Sequence, residues 1–143
     1  MRYMLSSIVF VLSQLTVGCE LFVIGNAAKP RFIVERSQRT AAGVVHLFKA
    51  ELDSNNTVAA TELMVSATGR PLLAVEKYEL ADDLNRWKAV MNTLPITDTQ
   101  VDTIDADNHS VTVTLDYFRK INFNTTRSES TWWITKVVDP QRK

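Results

Sequence analysis

The chain of 143 residues contains a single cysteine, Cys19, so no disulfide forms within it and only one thiol is available for metal or covalent chemistry. It also lacks a charge excess. Sixteen Lys+Arg balance 16 Asp+Glu, which removes the global field that would draw nucleic acid or an anionic surface. Histidine is scarce: His46 lies between the apolar Val45 and Leu47, whereas His109 sits in a turn facing solvent, and two histidines so placed do not make a metal site. There is no internal repeat, no low-complexity tract, and no catalytic or cofactor motif. No cofactor, metal or nucleic-acid partner is therefore expected. The apolar run over residues 8–17 is broken by Ser13, Gln14 and Thr16. It falls short of the roughly 20 residues that a stable membrane span requires.

What is present at the N-terminus is more telling. Arg2 supplies a positive flank, residues 8–17 a short apolar segment, and Gly18 and Cys19 the small residues that a signal peptidase needs to thread an extended backbone. The segment resembles the bacterial lipoprotein signal, whose final residues run apolar, small, Gly or Ala, then Cys. Leu15 lies one place early, and Thr16 stands where Leu is usual. The resemblance implies cleavage before Cys19, a thioether from its sulfur to diacylglycerol, and stable anchoring by two or three acyl chains. Two alternatives are cleavage near Gly25, Asn26, Ala27 and Ala28, which would give a secreted protein, and an uncleaved anchor with Glu20 inside it. The expected organisation is a signal peptide over 1–18, a lipid-anchored tether over 19–38 and one domain over 39–139, outside the cytoplasm at an outer membrane or cell surface. Three Asn-x-Ser/Thr sequons at Asn55, Asn108 and Asn124 decide little in a chain this rich in Asn and Thr.

From Thr40 onward, Val44, Val45, Leu47, Phe48 and Leu52 recur at helical spacing, with Gln38, Arg39, Lys49 and Glu51 outside. Asp53, Ser54, Asn55 and Asn56 stop this helix and offer caps for a second over about residues 57–67. Gly69 breaks that one, and Pro71 opens a long third helix to about Met91, with Leu73, Tyr78, Leu84, Trp87 and Met91 on one stripe. After Pro95 the period changes to two. Residues 101–104 read as a strand closed by a turn at Asp105–Asn108, and 111–117 alternate with Val111, Val113, Leu115 and Tyr117 on one face. Polar residues 124–128 read as the next turn, and 131–138 as the last strand. Helices followed by strands mean α+β: three N-terminal helices packed on a curved C-terminal antiparallel sheet.

The aromatic Phe48 near the end of the first helix, the break at Asp53 and the closing segment Trp132, Trp133, Ile134, Val137, Val138 are similar to the nuclear transport factor two-like superfamily. This is the cystatin-like or ketosteroid isomerase-like cone, and many small bacterial lipoproteins share it. The resemblance spans about residues 40–138 and implies a conical space between helices and sheet. The extra hairpin usual between the second and third helices has no room in Thr68, Gly69 and Arg70.

Such folds host many activities, so function must come from residues. Asp116, beside Tyr117, would be a general base if its strand face were the concave one, and His46 a second acid/base group. The plainer reading places Asp116 in the solvent row with Thr112 and Thr114, and His46 as a satisfied boundary residue. Arg70, Arg119, Lys120 and Arg127 are candidates for a basic rim, or ordinary surface charges. Trp132 and Trp133 must point to opposite sheet faces, so one is free for a protein partner or homodimer. The favoured expectation is a membrane-tethered binding or assembly module presenting its cone or sheet face to a partner or small apolar ligand. The alternative is a small isomerase- or dehydratase-type enzyme using Asp116, Tyr117 and His46.

Overall fold

The computed structural model describes residues 33–139. The signal segment, Cys19 and most of the tether lie outside the described residues. Among those described, the chain is α+β, with four helices followed by a four-stranded antiparallel sheet. The helices are α1 (Ala41–Asp53), α2 (Thr57–Glu62), α3 (Ala74–Glu79) and α4 (Ala81–Met91). Thr40 caps α1: its backbone is extended (φ −135°, ψ 154°) and its hydroxyl accepts from Gly43 N–H at 2.9 Å. The other end closes at Asn55, whose φ of 60° turns the chain out of the helix. Asn56 then caps α2, its side-chain oxygen accepting from Ala59 N–H at 3.2 Å. Val44, Val45, Phe48 and Leu52 of α1 are all buried, as their spacing requires. Lys49, expected outside, is buried too, because its ammonium reaches the Asp53 carboxylate at 2.6 Å one turn on.

The second and third helices differ from the sequence reading. α2 ends at Glu62, and the next residues form single bridges instead: Met64 pairs with Ile134 and Val65 with Pro71 around the turn at Gly69. The expected long third helix is two short ones meeting at Leu80, and its proposed stripe splits. Leu84 and Met91 are buried and Trp87 packs on the core, but Leu73 and Tyr78 are exposed. There are therefore four helices here, where three were expected.

The sheet is a meander in the order β1-β2-β3-β4: β1 (Ile96–Thr103), β2 (Asn108–Leu115), β3 (Arg119–Ser128) and β4 (Thr131–Val138). Residues 124–128, read from sequence as a turn, are the second half of β3. Their alternation continues through the polar Thr125, which is buried and donates its hydroxyl to the His109 carbonyl at 3.0 Å. The true hairpin lies at Glu129 and Ser130, both at positive φ (50° and 67°), as a two-residue connection between right-twisted strands demands. Asp116 and Tyr117 likewise have φ of 46° and 67° and form the β2–β3 turn, closed by Phe118 N–H on the Leu115 carbonyl at 3.2 Å. Tyr117 is therefore not on the apolar strand face; it is 80% exposed at a hairpin tip.

Helix α1 lies against all four strands. The layer between helices and sheet is filled by Phe48, Leu52, Met91, Leu115, Ile121 and Phe123, each under 2% exposed. Gly43 serves a close approach. A Cβ there would lie 2.5 Å from the Ser37 carbonyl oxygen and 2.8 Å from that of Glu35, so the incoming segment rests directly on the helix backbone. Gly43→Ala is expected to destabilise the domain by about 1–3 kcal/mol, since backbone atoms must move. Urea unfolding of the full chain checks this, and an unchanged midpoint would show that the segment does not press on α1.

Candidate functional site

Among the described residues, one accessible concavity lies within the helical layer. α2 runs beside α3 and the start of α4, leaving a cleft of about 280 Å³ lined by Thr57, Val58, Thr61, Glu62, Lys77, Tyr78, Ala81, Leu84 and Asn85. Leu84 is buried, whereas Val58 and Tyr78 are 72% and 82% exposed. An ion pair from Lys77 to Glu62 at 2.5 Å joins α3 to α2. The Thr61 hydroxyl is already committed to the Thr57 carbonyl at 2.8 Å, which leaves the wall more apolar than its composition suggests. Nearby, Glu76 holds α3's first turn: it accepts from Leu73 N–H at 2.7 Å and from both terminal nitrogens of Arg70. The Arg70 guanidinium, with the Leu73 N–H, lowers its carboxyl to about 2.

The three proposed catalytic residues take separate hydrogen-bond partners. His46, on α1, directs Nε2 to the Thr99 hydroxyl of β1 at 2.8 Å. Asp116 N–H donates to the Pro95 carbonyl just before β1, and Tyr117 N–H to the Thr97 hydroxyl. Thr97 and Pro95 lie two and four residues before Thr99 on the same chain. Asp116 therefore occupies a turn and not the concave row. Burial pushes the His46 imidazole below its usual value, and the cationic Arg36 and Lys49 add to this. Both charged neighbours have the wrong sign to hold an imidazolium, so proton transfer through His46 gains no electrostatic support.

The basic-rim residues are dispersed and mostly neutralised. Arg70 pairs with Glu76, Arg119 with Asp139 and Arg127 with Asp107, at 2.6, 2.7 and 2.9 Å. Arg119 and Lys120 begin β3 while Arg127 is near its end, roughly 23 Å away along the strand. His109, expected in a turn, is the second residue of β2, its ring 4.4 Å from that of Trp132. Trp132 is the inward tryptophan, 6% exposed, with the Arg127 guanidinium 5.8 Å from its ring centre. Trp133 points to the outer face. Sequence reasoning missed Thr99 and the Glu62–Lys77 pair, because partners 53 and 15 residues apart leave no local pattern. Comparison with protein-family models and with curated proteins finds no match to this chain.

The lowered His46 value sets a pH dependence. The folded state favours the neutral ring, so the unfolded chain binds more protons as pH falls below the ordinary imidazole value of 6.5. The stabilisation is fully present above that pH and is lost as pH falls through the folded-state value. In thermal melts, His46→Gln should flatten the fall in midpoint between about pH 7 and pH 5. An identical slope in the variant would show that His46 ionises freely.

Proposed function

We propose that the chain is a lipid-anchored, extracytoplasmic binding or assembly module whose domain takes a small apolar ligand into the cleft between α2, α3 and α4. The observation that carries this reading is the contrast between that open cleft, with its exposed apolar Val58 and Tyr78, and the filled layer between α1 and the sheet. A cleft of about 280 Å³ suits a compact molecule near the lower end of ligand sites. The order of a helix pair, a bridged turn, two further helices and a four-stranded meander supports a nuclear transport factor two-like domain, a curved cone in its finer form. The anchor rests on Arg2, the apolar segment over residues 8–17, and Gly18 before Cys19. The isomerase- or dehydratase-type alternative is less well supported, because Asp116, Tyr117 and His46 occupy separate places with separate partners.

Two measurements test the two parts. In a bacterial host, membrane-extracted protein should begin at Cys19 and carry the mass of diacylglycerol and an acyl chain, while Cys19→Ala should lose both the modification and the membrane attachment. Unmodified Cys19 with residues 1–18 retained would sink the anchor. For the cleft, the full chain should enhance the fluorescence of the neutral probe N-phenyl-1-naphthylamine. Ala81→Trp, filling the cleft from α4, should weaken that binding about tenfold or more, a loss of about 1.4 kcal/mol. Equal binding by the variant, with unchanged circular dichroism, would place the apolar site elsewhere.

A further inference from the structure

The two edges of the sheet are finished differently. Over the first half of β4, the backbone groups that point out of the sheet are those of Trp132 and Ile134, and each is used. Trp132 N–H donates to the Gln38 carbonyl at 2.8 Å, and its carbonyl accepts from the Gln38 side-chain amide at 3.1 Å. Ile134 N–H donates to the Leu63 carbonyl at 3.0 Å, and its carbonyl accepts from Val65 N–H at 2.9 Å. On β1 the corresponding groups are bare. Ile104 N–H donates to the Asn108 carbonyl, which fixes the phase of the antiparallel ladder. Asp98, Gln100 and Asp102 therefore bond to β2, whereas Thr99, Val101 and Thr103 direct their N–H and C=O away from it. Among the described residues, no hydrogen bond reaches these outward groups.

The side chains along this edge set what fits it. On the inner face, the Thr99 hydroxyl is held by His46. Val101 lies across from the fully buried Val111, yet is itself 42% exposed, because no strand flanks it on the other side. On the outer face, Asp98 and Asp102 are both exposed and stand about 13 Å apart along the strand. Their partners on β2 are the neutral Thr114 and Ser110. Gln100 donates its amide to the Asp102 carboxylate at 2.9 Å, a neutral contact that leaves the charge in place. Among the described residues, no ion pair includes either carboxylate. Free edges are commonly blunted by lysine, proline or a covering segment. Residues 98–104 hold neither lysine nor proline, and their charge is negative.

We propose that the β1 edge binds an extended, basic segment of a partner protein, which adds antiparallel as a fifth strand. The segment's backbone takes the outward groups of Thr99, Val101 and Thr103, and this main-chain ladder supplies the affinity. Its alternate side chains supply the specificity. Lys or Arg residues spaced i and i+4 lie opposite Asp102 and Asp98 on the outer face. An aliphatic or β-branched residue between them, on the inner face, covers Val101. A second copy of β1 is a poorer occupant, because it would bring two further aspartates onto the same outer row. The edge shares no residue with the cleft between α2, α3 and α4, so this proposal and the ligand reading fail separately.

Fluorescence anisotropy of the labelled peptide Val-Thr-Lys-Val-Thr-Val-Lys, titrated with the full chain in nonionic detergent, tests it. In antiparallel addition its first residue faces Ile104, and its two lysines face Asp102 and Asp98. N-methylation of the fourth residue, opposite Val101, removes an N–H from the ladder and should weaken binding about tenfold or more. N-methylation of the fifth, whose N–H points away from β1, should have a clearly smaller effect. Asp98→Lys with Asp102→Lys should lose the parent peptide and gain the form with both lysines replaced by glutamate. Misfolding of the variant would not produce that gain. No binding of the parent peptide to the wild type, or equal loss from the two methylated forms, would overturn the proposal.

Discussion

The Phe48 ring is the joint on which the rest of the domain depends. It stands on α1 and meets Trp87 of α4 edge-on at 6.2 Å and Phe123 of β3 edge-on at 6.0 Å, so one side chain ties two helices to the middle of the sheet. Edge-to-face pairs of this kind add to what burial of such large rings already supplies. The dependence is strong because little else in the helical layer is self-supporting. α2 and α3 have six residues each, far below the length at which a helix holds in water. They persist because Ala60, Leu63, Leu80 and Leu84 give them something to lie on, and that something is assembled around Phe48.

A filled interior moves function to the surface. With the space between α1 and the sheet occupied by Leu52, Met91, Ile121 and their neighbours, a ligand would have to displace packed side chains to enter there. The shortness of α2 and α3 has the opposite effect on their outer side. Neither helix is long enough to close over the other, and Val58 and Tyr78 remain at the mouth of the gap. The same constraint that makes the core solid leaves the helical cleft open.

Local chemistry made part of this legible in the sequence. Thr40, the 44-45-48-52 spacing and the Asn55-Asn56 break each have a short-range cause, and α1 with its caps follows from them. Two errors share one origin, the treatment of periodicity as if it ran on unchecked. The stripe through Leu73 and Tyr78 was extended across Leu80, where the helix divides, and the β2 alternation was extended into Asp116 and Tyr117, whose positive φ had already turned the chain. The reverse error hid β3. Thr125 is polar in type but buried in fact, and its hydroxyl is paid off by a carbonyl on the next strand. Only the sheet register shows that. His46 and Thr99, like the rows of the outer face, are brought together by pairing between distant segments, so no window of sequence contains them.

The outer face gives the balanced composition a different meaning. Sixteen charges of each sign indicate no attraction to any particular partner when counted over the whole chain. The strand register nevertheless sorts four of them, placing Asp98 and Asp102 at one margin of the outer face and Lys120 and Lys136 toward the other. Short hydroxyl and amide side chains that bond one another lie between these margins, whereas a broad apolar face would adhere to unrelated surfaces.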